Sequence, residues 1–140
     1  MLRSNLYIDR YNWNVNIYYA VTTYWTNEIM NNLYDINCPD RLLNEAYGKL
    51  KKGKINFGLT YSNYELMETV MVISRTTGPS EFINSLCHEK RHLEDHIWQA
   101  LDIKPEGEEI AYLSGYIGQK LAKDIHYFIC NCNCHKKQNK

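Results

Sequence analysis

The chain has 140 residues, enough for one domain with a single core and too few for two. Its 16 Lys plus Arg balance 16 Asp plus Glu, so no net field draws it to a polyanion or an anionic membrane, and nucleic acid is not an expected partner. The N-terminus lacks the apolar segment of a secretory signal and no apolar run approaches the roughly 18 residues of a membrane span. Three of the 5 cysteines crowd together near the C-terminus. The expectation is a cytoplasmic protein with reduced thiols.

In chain order, Trp13, Val15, Ile17, Tyr19 and Val21 alternate with polar or small residues, a period of two that predicts a half-buried strand with Leu6 to Arg10 as its hairpin partner. Apolar spacing between Thr26 and Ile36 fits a short helix. A second helix opens at Asp40, read as its cap, carries Leu42, Leu43, Ala46 and Leu50, and stops near Gly53. Strands follow over Ile55 to Tyr61 and Thr69 to Ser74. The run Val70-Met71-Val72-Ile73 is apolar on both faces and belongs inside a sheet. Pro79 at a first helical position, with Glu81 in the first turn, starts a long helix to about Leu101. After a turn from Asp102 to Gly107, a last helix runs from Glu108 to Phe128. Residues 1–128 thus make the domain and 129–140 a Cys- and Lys-rich tail, within an α+β fold whose twisted, partly antiparallel sheet is covered by helices.

Within the long helix stand His88-Glu89-Lys90-Arg91-His92. Two histidines four residues apart share one helical face and can bind one Zn²⁺, while Glu89 falls beside the metal, where a general base belongs. At about 100° per residue, Phe82, Leu86, Leu93, Ile97 and Leu101 gather on one face and the two histidines on another. Lys90 intrudes at the edge of the apolar stripe and is read as snorkelling outward.

A third ligand is needed for a full zinc site. His96 is a further turn along a straight helix and is read as solvent-facing. Of the two acids that open the next helix, Glu108 lies about 50° from a seam of small residues, Ala111, Gly115, Gly118 and Ala122, and Glu109 about 150° from it. If that seam packs on the histidine helix, Glu108 points at the metal; the competing reading is a solvated acid favoured by the helix dipole. Tyr112 lies one turn beyond Glu108, and Asp95 one turn beyond His92, where it could accept the second ring N–H. His126 is too far along the last helix. Cys130, Cys132, Cys134 and His135 offer soft ligands for zinc or copper, against the plainer reading of a reduced tail.

A strand, a His-Glu-x-x-His helix, a turn and a Glu-bearing helix, over roughly residues 55 to 125, resemble the gluzincin branch of the zincin metallopeptidases. The segment Glu108-Glu109-Ile110-Ala111-Tyr112 is similar to the Glu-x-x-Ala-Tyr that follows the motif in minimal versions from bacterial phages and mobile elements. The resemblance implies a small zincin-like domain with zinc on His88, His92 and Glu108. It further implies Glu89 as general base and the strand Thr69 to Ser74 flanking a cleft for a peptide substrate. Tyr61, Tyr64 and Tyr112 are the candidates for stabilising the oxyanion. The expected function is therefore zinc-dependent peptide hydrolysis. The rivals are a non-catalytic, zinc-stabilised interaction module in which the metal joins two helices, and a nucleic-acid binder using Lys136, Lys137, Lys140 and the tail thiols.

Overall fold

The computed structural model describes residues 2–53, 55–56 and 58–130. The roles weighed above for Cys132, Cys134, His135 and the tail lysines fall outside them. Four strands and four α-helices form a small α+β domain: β1 (Leu2–Ile8), β2 (Trp13–Val21), α1 (Thr26–Asp35), α2 (Asp40–Lys51), β3 (Gly58–Asn63), β4 (Glu68–Ser74), α3 (Pro79–Ala100) and α4 (Glu108–Ile129).

The strands lie in the order β1-β2-β4-β3, so β4 is interior and β3 is an edge. β1 runs antiparallel to β2, β2 parallel to β4, and β4 antiparallel to β3. A sheet can carry Val70-Met71-Val72-Ile73 without polar relief only if both faces are covered, and both are. Met71 and Ile73 join Trp13, Val15, Ile17 and Tyr19 under α3 and α4, while Val70 and Val72 join Tyr18, Ile29, Leu33 and Leu50 under α1 and α2.

Several expectations change. β1 reaches back to Leu2 and ends at Ile8, where a 3₁₀ turn over Asp9–Tyr11 and a left-handed Asn12, at φ 51°, reverse the chain. The alternation along β2 breaks at Ala20, whose φ is 53°, and the register with β4 shifts between Tyr18 and Val21. The bulge moves Val21 from the face of Trp13 and Tyr19 to that of Tyr18. Asp40 does not cap α2. It is already the first helical residue, behind Pro39, and its charge acts on the helix dipole. The strand expected from Ile55 to Tyr61 lies over Gly58–Asn63. Thr69 to Ser74 falls within interior β4, so the strand with a free edge beside α3 is β3. Among the described residues no helix is long and apolar enough to cross a membrane.

Gly58 opens β3 between the Val72 backbone of β4 and the Glu89 side chain of α3. A Cβ there would lie 1.9 Å from the Val72 carbonyl oxygen and 3.0 Å from Glu89 Cγ. The first distance is to backbone, so neither a rotamer change nor a small side-chain shift relieves it. Gly58→Ala is expected to cost about 1–3 kcal/mol, as overpacking does, and to lower the urea midpoint accordingly. An unchanged midpoint would contradict the close approach of Val72 and Glu89 to this position.

Candidate functional site

α3 buries Phe82, Leu86, Leu93 and Ile97 as its periodicity predicts, and it also buries Glu89 and Glu94. His88 and His92 are exposed on the flank beyond the β3 edge. Their Nε2 atoms are 3.1 Å apart, with ring planes at 78° to each other. Two ligands of one tetrahedral zinc, each about 2.0–2.1 Å from the ion, stand roughly 3.3 Å apart. The pair is therefore spaced to hold one ion, although a proton shared between two imidazoles brings the nitrogens equally close.

Glu89 is 3% exposed. Thr60 Oγ1 donates to its Oε2 at 2.6 Å, and Oε1 has no hydrogen-bond partner among the described residues. Burying a carboxyl group with one oxygen unpaired is costly. The partner comes from β3, whose alternate residues Gly58, Thr60 and Ser62 face α3 while Leu59 and Tyr61 pack toward α1 and α2.

Ser62 continues this polar face. Its Oγ lies 2.7 Å from His96 Nδ1 and 2.7 Å from Thr69 Oγ1, and the Trp13 indole donates to Thr69 Oγ1 at 2.8 Å. His96 is thus half-buried against β3 and not solvent-facing, because Ser62 satisfies one ring nitrogen. Desolvation, with the nearby His92, holds its pKa below the usual histidine value. Tyr64 packs on its ring at 5.9 Å between centroids and donates from its hydroxyl to Gln99.

The remaining candidates lie elsewhere. Lys90 does not snorkel out: it pairs with Glu94 and donates to Ser114 Oγ at 2.8 Å, tying α3 to α4. That face of α3 is about 160° around the helix from the histidine pair. Ala111, Gly115 and Ala122 are exposed, and of the small seam only Gly118 comes near α3, with Lys90 Cε 4.0 Å from where its Cβ would be. Glu108 is exposed and begins α4 six residues before Ser114, about 9 Å along the axis. It is not gathered with His88 and His92, and among the described residues no three His, Cys, Asp or Glu side chains are grouped to hold a metal. Glu109, its neighbour, pairs with Arg10 and accepts from Tyr11.

Asp95 accepts from the Trp98 indole at 2.9 Å and pairs with Arg91, so it serves its own helix and not His92. Tyr61 reaches the Asn37 carbonyl on the opposite side of the sheet. Tyr112 is 68% exposed and lines a groove of about 680 Å³ between the β1–β2 turn and α4, with Ile8, Tyr11, Gly115 and Tyr116. This groove lies away from the histidines. Periodicity and spacing single out neither Thr60 nor Ser62, and they leave His96 in solvent. The signal available in the sequence is two hydroxyl residues on one face of a predicted strand, opposite a helix bearing His and Glu.

Thr60→Val keeps the shape and removes the one donor to Glu89. It is expected to cost about 1–3 kcal/mol in denaturant unfolding at neutral pH, with Thr60→Ser restoring most of the loss. For His96, the unfolded chain takes up a proton more readily than the folded one as pH falls. Its contribution to stability is therefore full above the ordinary pKa of 6.5 and declines as pH drops through that value. Between about pH 7.5 and about pH 5.5 the urea midpoint should fall more steeply in wild type than in His96→Asn. Equal slopes would show that His96 titrates as it does in the unfolded chain.

No protein-family model, curated protein or solved structure matches this chain.

Proposed function

We propose that the protein is a zinc-dependent peptide hydrolase with a zincin-like site, in which His88 and His92 supply two of the metal's ligands and Glu89 is the general base. One observation carries this reading: two imidazole nitrogens 3.1 Å apart on α3, one residue from a buried carboxylate with a single hydrogen bond. A structural role for His88 and His92 would not require Glu89 to be buried with Oε1 unpaired.

Bound zinc would supply a Lewis acid and a water acidified to near neutrality. Glu89 does the proton work. Thr60 holds Oε2, leaving Oε1 to take a proton as water adds to the scissile carbonyl carbon. Glu89 then returns that proton to the nitrogen as the C–N bond breaks, so the amine leaves neutral and the carboxyl group keeps the new oxygen. A peptide substrate also suits the fold, because an extended chain can add to the edge of β3, the strand that holds Glu89.

The alternative reading is a non-catalytic, zinc-stabilised module. A metal in that role would join two helices, but α3 and α4 are joined by their apolar faces and by Lys90, Glu94 and Ser114, on the far side from the histidines.

Elemental analysis should find zinc in wild type and lose it in His88→Ala and in His92→Ala. Glu108→Gln should keep it, since that side chain stands apart from the pair. Glu89→Gln should also retain zinc while cleavage of a quenched-fluorescent peptide library falls about 10²–10⁴-fold. Full zinc in both histidine variants, or cleavage equal in Glu89→Gln and wild type, would overturn the proposal.

A further inference from the structure

The hydrogen-bond chain that ends at His96 has a direction, and the direction decides where the ring carries its proton. An indole N–H can only donate, so Thr69 Oγ1 accepts from Trp13. Thr69 and Ser62 are both buried, and each has one hydroxyl proton to place. If Ser62 donated to Thr69, the Thr69 proton would have no acceptor among the described residues. If Thr69 and His96 both donated to Ser62, the Ser62 proton would be stranded instead. Leaving a buried hydroxyl proton unbonded is unfavourable. Only the order Trp13 to Thr69 to Ser62 to His96 Nδ1 uses every proton.

Nδ1 is then an acceptor, and the neutral ring carries its proton on Nε2. That nitrogen is at the end of the ring away from Ser62 and has no hydrogen-bond partner among the described residues. His96 follows His92 by one helical turn, on the flank of α3 that also bears His88. A fixed N–H donor thus stands one helical turn from His92, held by two hydroxyls that have no side-chain hydrogen-bond partner beyond Trp13, each other and His96 among the described residues.

We infer that His96 is a further catalytic residue, whose Nε2–H donates to the scissile carbonyl oxygen and stabilises the negative charge that develops there as water adds to the carbon. The inference rests on the hydrolase reading. The proton stays on His96 throughout; its hydrogen bond strengthens as C=O becomes C–O⁻ and relaxes when the carbonyl re-forms and the C–N bond breaks.

The test uses the full chain and His96→Asn, which sets an amide oxygen near the place of Nδ1, so that Ser62 keeps an acceptor, and removes the Nε2–H. Long-range ¹⁵N–¹H NMR of the metal-free wild type should find His96 protonated on Nε2 and bare on Nδ1, a readout that needs neither zinc nor activity. With zinc loaded and the quenched-fluorescent peptide library as substrate, His96→Asn should lower kcat about 10²–10³-fold. KM, zinc content and thermal midpoint should stay near wild type. A proton on Nδ1, or unchanged kcat in His96→Asn while Glu89→Gln is inactive, overturns the role of His96 and leaves the hydrolase standing. A wild type that holds zinc but cleaves nothing overturns both.

Discussion

Glu89 is a carboxylate inside a protein, and the arrangement around it follows from that. A buried carboxylate needs hydrogen-bond donors, and the nearest backbone donors on its own helix are already used within α3. The donor must come from the sheet. Thr60 supplies it, which requires β3 to present its polar face to α3 and to lie close enough for a 2.6 Å hydrogen bond. At Gly58 a side chain would meet the Val72 carbonyl of β4 as well as Glu89 Cγ of α3. Strand register, the absence of a Cβ and the depth of the carboxylate are one constraint seen at three positions.

The same polar face explains why the two flanks of α3 differ. Toward α4 the helix offers Lys90 and Glu94, a buried pair that also engages Ser114 and fixes how the last helix lies. Toward β3 it offers Glu89 and His96, each met by a hydroxyl, the two hydroxyls standing two residues apart on the strand. Between these flanks Leu86, Leu93 and Ile97 fill the core. A helix that buries charge on both sides of its apolar stripe is anchored against rotation, since a turn of even one residue would strand a carboxylate or an ammonium in apolar surroundings. The exposed pair His88 and His92 is thereby held at a set angle on the helix.

Local regularities are legible in the sequence because they depend on neighbours within a few positions. The 3.6-residue period of α3, the two-sided apolar run of β4, Pro79 at the start of α3 and the approach of His88 to His92 all arise within one turn or one strand. Tyr61 is legible as part of a strand, but the face it takes is not: β3 begins three residues later than its apolar content suggests, and Gly58, which looks like a strand breaker, is its first residue. Val21 changes face at a bulge at Ala20 that no alternation pattern announces.

What only the tertiary structure decided was which distant residues meet. Thr60 and Glu89 are 29 residues apart, Ser62 and His96 34, and Trp13 and Thr69 56. Such pairings depend on strand order and helix packing, which periodicity does not encode. Glu108 shows the limit from the other side. The helical wheel relates its angle to the small seam, but the α3–α4 contact is made by apolar faces and by Lys90, Glu94 and Ser114, and Ala111, Gly115 and Ala122 are left exposed. The sequence by itself determined the helix that carries His88, Glu89 and His92; the fold determined that Thr60, Ser62 and His96 stand beside them, because a hydrogen bond across the chain is set by packing and not by spacing.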